Sequence, residues 1–119
     1  MFGLGELEGA VLEVLWRLDE PARVRDVLEE LGPQRTLAYT TVMTVLDNLH
    51  RKEWVRRARD GRAYRYRPAL SREDATVRAM RDVLTSSGSP ETALLHFARS
   101  ASDEEAKLLR AGLSDPHRD

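Results

Sequence analysis

The chain has 119 residues, 41% of them hydrophobic, with no cysteine and a net charge of −1. That length fits one domain or a small domain with an appendage, and the missing cysteines exclude disulfides, thiolate nucleophiles and cysteine-based zinc sites. No apolar run approaches the roughly 18 residues of a membrane span, and the acidic start MFGLGELEGAVLEVLW lacks a basic leader and a cleavage site, so the expectation is a soluble, cytoplasmic protein.

The first helix is predicted from about Glu6 to Leu18. Leu4, Leu7, Val11, Val14, Leu15 and Leu18 recur at spacings of three and four and so share one face. A second helix, about Val24 to Leu31, carries Val24, Val27, Leu28 and Leu31 and stops at Gly32-Pro33. The short polar turn Gln34-Arg35-Thr36 follows.

The segment AYTTVMTVLDNLHRK, Ala38 to Lys52, predicts a third helix. At about 100° per residue, Val42, Val45, Leu46 and Leu49 form a core face. Thr40, Thr44, Asp47 and Arg51 fall nearly opposite, flanked by Asn48 and Met43. Ala38 is a weak N-cap, so tertiary packing has to hold this helix. Three early threonines are poor helix formers, which calls for a reason on that face.

After Lys52 the period changes to two. EWVRRARDGRAYRYRP reads as a hairpin with its turn at Asp60-Gly61. Tyr64 and Tyr66 share one face and pack on the helices, while Arg65 and Arg67 take the other. Arg57, Arg59 and Arg62 sit near the tip. A capping box at Ser71-Arg72-Glu73-Asp74 opens a fourth helix with Val77, Met80, Val83 and Leu84 apolar. TSSGSP is a loop, and Ser89-Pro90 opens a fifth helix carrying Ala93, Leu94, Phe97 and Ala98. A second box, Ser102 to Glu105, opens a sixth with Leu108, Leu109 and Leu113, and the tail from Ser114 is expected to fray.

The charge is unevenly spread. Residues 35–67 hold nine Lys or Arg against three acids, whereas residues 71–119 hold seven basic and nine acidic residues. A basic patch on an otherwise acidic chain is the footprint of an oriented electrostatic contact, and taken alone it fits a solvated, salt-bridged surface equally well.

The fold class implied is mainly α. Three helices and a basic hairpin make a winged helix-turn-helix over residues 1–70, followed by a helical dimerisation region over 71–119. In such a domain the third helix enters the DNA major groove. Short side chains that donate and accept, such as Thr and Asn, allow close approach to base edges, and a Thr methyl can meet a thymine methyl. The expected contacts are Tyr39, Thr40, Thr41, Met43, Thr44, Asn48, Arg51 and Lys52 from the helix, with Arg57, Arg59, Arg62 and Arg65 from the wing. Asp47 is the difficulty, since phosphates repel a carboxylate. It either accepts from a cytosine amine or pairs with Arg51. A winged helix closes its own core in about 70 residues, so Leu84, Leu94, Leu95, Phe97, Ala98, Leu108, Leu109 and Leu113 are expected to form a homodimer interface; the alternative is that they fold back onto the N-terminal domain.

No Gly-rich phosphate loop, nucleophile triad or metal-ligand cluster is present, and His50, His96 and His117 lack ligand spacing, so neither enzyme nor metal or other cofactor is expected. A winged helix used for protein–protein contact is the alternative. It would predict a neutral third-helix face and an uncharged wing.

LGELEGAVLEVLW, ARVRDVLEEL, AYTTVMTVLDNLHRKEWV and RDGRAYRYRPALSREDA together resemble the penicillinase and methicillin-resistance repressor family (BlaI/MecI type) over about residues 4 to 113. The resemblance implies a bacterial homodimeric repressor of β-lactamase-type or related genes. It would bind a palindromic operator in duplex DNA and be relieved by proteolysis when a membrane sensor protease acts. The cleaved bond in well-known members is Asn–Phe, and the matching pair here is His96–Phe97. Copper-responsive relatives use a C-terminal Cys motif that this chain lacks.

Overall fold

In a computed structural model, residues 2–32 and 36–118 are described. The expected stop at Pro33, the residues Gln34 and Arg35, and the terminal Asp119 lie outside the described residues. The order is α1 (Glu6–Arg17), α2 (Val24–Leu31), α3 (Tyr39–Arg51), β1 (Val55–Asp60), β2 (Ala63–Pro68), α4 (Arg72–Ser86), α5 (Pro90–Ser100) and α6 (Asp103–Leu113). This is the mainly helical winged helix-turn-helix anticipated above.

The apolar periodicity decides which faces go inside. Val11, Leu12, Val14 and Leu15 of α1, Val24 and Val27 of α2, and Val42, Val45, Leu46 and Leu49 of α3 are buried together. Trp54, Val55 and Tyr66 close this core from the hairpin side. Burying such side chains contributes about 1.5–3 kcal/mol each. Ala38 caps α3 without a side-chain hydrogen bond, so this packing is what holds the helix.

The link from α3 to β1 is a left-handed helix stop. Glu53 takes φ +66, and the Trp54 amide donates back to the Leu49 carbonyl at 2.9 Å. β1 and β2 pair antiparallel, with Arg57 opposite Tyr66 and Asp60 opposite Ala63. The turn's two central residues are therefore Gly61-Arg62, one position beyond the expected Asp60-Gly61. Gly61 has φ +68, the left-handed conformation required at the first central position of a II′ turn. A further bridge ties Tyr66 to Ala22 in the α1–α2 link through two 2.8 Å bonds.

The chain divides into two compact units, Met1–Ala79 and Met80–Asp119, so the division falls within α4. In the first unit, α4 is seated by buried Ala75. An Arg72–Glu13 ion pair and the Arg78 guanidinium over the Trp54 ring also seat it. α4 also absorbs Thr85 and Ser86 of the expected TSSGSP loop. The hydroxyls of Ser86 and Ser87 donate back to the carbonyls of Val83 and Leu84, and Gly88 at φ +86 ends the run. The second unit has Ser89 and Ser102 as N-caps, the latter in a reciprocal box with Glu105. Among the described residues α5 and α6 bury nothing. The tail expected to fray is described through Arg118 as a turn, with the His117 amide on Asp115. No helix among the described residues is long and apolar enough to cross a membrane.

Candidate nucleic-acid interface

Because α3 buries one face, its other flank is left to solvent. Tyr39, Thr40, Thr41, Met43, Thr44 and Arg51 are exposed, and Asn48 is half-buried. Tyr39 and Met43, 49% and 38% exposed, are large side chains left uncovered by the core. The Thr44 hydroxyl donates to the Thr40 carbonyl at 2.9 Å, and the residue is exposed. Arg51 donates to the Asn48 side-chain oxygen.

Asp47 does not pair with Arg51, the helical partner expected of it. Its Oδ1 accepts from Arg57 Nη1 at 3.0 Å and from the Tyr66 hydroxyl at 3.4 Å. The reason is register. The hairpin sets Arg57 and Tyr66 directly across from each other, and both reach the same α3 carboxylate, while Arg51 turns to Asn48. Burial pushes the Tyr66 phenol above its ordinary value.

The cations at the end of α3 and on the wing sort into two groups. Arg57 is held by Asp47 and lies 4.2 Å over the Tyr64 ring. Arg65 pairs with Asp60 and donates to the Pro21 carbonyl at 3.4 Å. Lys52 reaches both carboxylate oxygens of Glu8 at 2.9 and 2.8 Å, which holds Glu8 below its ordinary 4.5. Arg59 is exposed; among the described residues it donates to the Tyr64 hydroxyl and lies over the Tyr64 ring. Arg62, at the turn, is exposed and has no partner among the described residues.

Two features were not anticipated. Arg23 at the start of α2 donates to Asp60 at 2.9 Å, and with Arg65 it holds that carboxyl below its usual value of 3.8. The separation in sequence is 37 residues, so no local pattern announces it. Arg56 and Arg67 face each other across the strands, exposed and unpartnered among the described residues. Like charges directly opposite are unfavourable. Strand alternation placed Arg67 on the outward face, but nothing in the sequence paired it with Arg56.

In the second unit, Leu94, Leu95, Phe97, Leu108, Leu109 and Leu113 are exposed large apolar residues. Ala98 is exposed and Leu84 half-buried. Met80, Phe97, Leu108, Leu109 and Leu113 line one apolar concavity. His96 and Phe97 lie in mid-α5, both exposed.

Comparison with known proteins adds four findings. The profile of the family described as penicillinase repressor matches residues 4–115. The transcriptional regulator BlaI of Mycobacterium tuberculosis is 45% identical over 115 residues, covering 94% of this chain and 83% of that protein. The solution structure of the monomeric form of Bacillus licheniformis BlaI, in complex with the blaP half-operator, aligns with TM-score 0.50 at 25% identity. That alignment covers 60% of this chain and 85% of the other. MepR, a transcription regulator of the Staphylococcus aureus multidrug efflux pump MepA, aligns over 95% of this chain and 77% of its own at TM-score 0.52 and 22% identity. This last likeness speaks to the fold alone.

Proposed function

Because the chain belongs to the penicillinase repressor family, we propose that it is a homodimeric transcriptional repressor that binds a palindromic operator through α3 and the wing. The observation that carries this reading is the exposed α3 flank beside an arginine-rich hairpin. Tyr39, Thr40, Thr41, Met43, Thr44, Asn48 and Arg51 form the groove-facing set. Their short hydroxyls, methyls and amide suit base edges, and Arg51 suits guanine or phosphate. Arg59 and Arg62 supply backbone contacts, which set register without reading sequence; Lys52, Arg57 and Arg65 belong to the same set but are already paired with Glu8, Asp47 and Asp60 and bring less net charge. The half-operator bound by B. licheniformis BlaI supports the same use of the fold here.

Residues 1–70 are the DNA-binding part in this reading and residues 71–119 the pairing part. Exposed apolar patches on a stable monomer are rarely this extensive. Leu84, Leu94, Leu95, Phe97, Ala98, Leu108, Leu109 and Leu113 would be covered by a second copy. A two-fold dimer presents two α3 helices to half-sites one turn, or a small multiple, apart. The regulated genes are of the β-lactamase type or related, and relief comes from a membrane sensor protease cutting His96–Phe97. That bond is helical, so cutting requires local unwinding of α5.

The test uses the full chain and the DNA upstream of its own gene, compared with a scrambled duplex. The expected result is preferential binding to the upstream DNA, with two chains per duplex by sedimentation. Equal affinity for both duplexes, or a monomer at all concentrations, contradicts the proposal. Incubation with the cognate protease should yield fragments that meet at His96–Phe97, and an intact chain would remove that part.

A further inference from the structure

Asp47 is an anomaly on the proposed reading face. A carboxylate close to phosphate oxygens is repelled by an amount that grows as water is excluded, and removing it would by charge alone strengthen binding to any duplex. Its surroundings give it another task. The bonds from Asp47 to Arg57 and Tyr66 are the only side-chain hydrogen bonds between α3 and the hairpin among the described residues. Tyr66 is 2% exposed and anchored in the core. Arg57 is restrained on a second side by the Tyr64 ring at 4.2 Å. One carboxylate thus ties the α3 flank to neighbouring positions on both strands of the wing.

Resting on the DNA-binding reading above, we propose that Asp47 is a positioning residue. It acts through Arg57 and Tyr66 to fix the wing relative to α3, so that groove and phosphate contacts can be made together. It reads no base. A neutral Asp47–Arg57 pair adds little to counterion release, so Arg57 contributes geometry more than charge. Two contact surfaces held at a fixed spacing act on one duplex without an ordering cost at binding. Released, the wing still attracts DNA but no longer selects the duplex whose groove and backbone fit both surfaces.

The test is Asp47→Ala, which improves helix propensity while removing both bonds. The full-length dimer is titrated with the duplex that the unaltered chain protects and with a scrambled duplex of equal length. Selective binding by the unaltered chain tests the DNA-binding reading by itself. For the variant, the expected result is roughly a tenfold loss on the protected duplex, a tenfold change corresponding to 1.4 kcal/mol. Affinity for the scrambled duplex is unchanged or higher. Arg57→Ala should lose the same selectivity, and the double variant should lose no more than either alone, since both changes cut one link. Asp47→Glu, which keeps the acceptor, should recover part of the loss. A variant that binds the protected duplex as tightly as the unaltered chain overturns the proposal, as does an equal loss on both duplexes or additive losses in the double variant. Should Asp47→Ala fail to fold, the selectivity of Arg57→Ala and Asp47→Glu decides the matter alone.

Discussion

Arg62 and Lys52 are both cations of the basic stretch, yet the structure gives them opposite prospects. Arg62 sits at the hairpin turn with no partner among the described residues. Lys52 is already clasped by both oxygens of Glu8. Each phosphate neutralised on B-DNA contributes about 0.9 to the slope of log affinity against log salt. Two copies of Arg62 in the proposed dimer therefore account for about 1.8 of that slope. Between about 50 and 200 mM salt, the original dimer should lose roughly twelvefold more affinity than Arg62→Ala does. Lys52→Ala removes a charge that is already compensated and should change the slope by less than half as much. Fluorescence anisotropy of a labelled duplex across a salt series measures both. A slope unaltered by Arg62→Ala would remove the wing tip from the interface. An equally large change from Lys52→Ala would refute the reasoning that paired cations are spent.

Leu46 is completely buried between the helices of the first unit, and Leu46→Ala should cost about 2–5 kcal/mol in chemical denaturation; less than 1 kcal/mol would mean the α3 core face is misassigned. Gly61 has open space where a Cβ would stand, but its φ is +68. Gly61→Ala should therefore cost about 1–2 kcal/mol of backbone strain, and an unchanged thermal midpoint would contradict the II′ turn. Lys52 depresses the Glu8 carboxyl below 4.5. A carboxyl lowered on folding adds stability above its unfolded value, and that stability disappears as pH falls through the folded one. With Lys52 half-exposed, solvent limits the gain to about 1 kcal/mol at most. Glu8→Gln should therefore lower the thermal midpoint at neutral pH by an amount that shrinks as pH falls through the titration of the carboxyl; a constant difference would exclude the ion pair as its cause.

The elements were legible because their signals are local. Val42, Val45, Leu46 and Leu49 are spaced for one helical face, and that face is buried. Alternation in AYRYRP sent Tyr66 inward and Arg67 outward. Glycine marked the turn to within one residue, since Gly61 tolerates its φ wherever the flanking register falls. The pairings were not legible. Asp47 meets Arg57 and Tyr66, Lys52 meets Glu8, and Arg23 meets Asp60 across 10 to 44 residues. Each depends on strand register and helix placement rather than on neighbours in the chain. The helical rule that suggested Asp47 with Arg51 is worth only about 0.2–0.5 kcal/mol. A hairpin that brings two donors to one oxygen readily overrides it. The exposed leucines of α5 and α6 were identifiable as an apolar surface from their spacing, but spacing alone does not name what covers them.

Hydroxyl-radical footprinting of the intact chain on the DNA upstream of its own gene is the most direct measurement. Two protected segments on one side of the duplex, symmetric in sequence and separated by one helical turn or a small multiple, are what paired winged helices predict. Protection of one isolated segment, or of none, would contradict it.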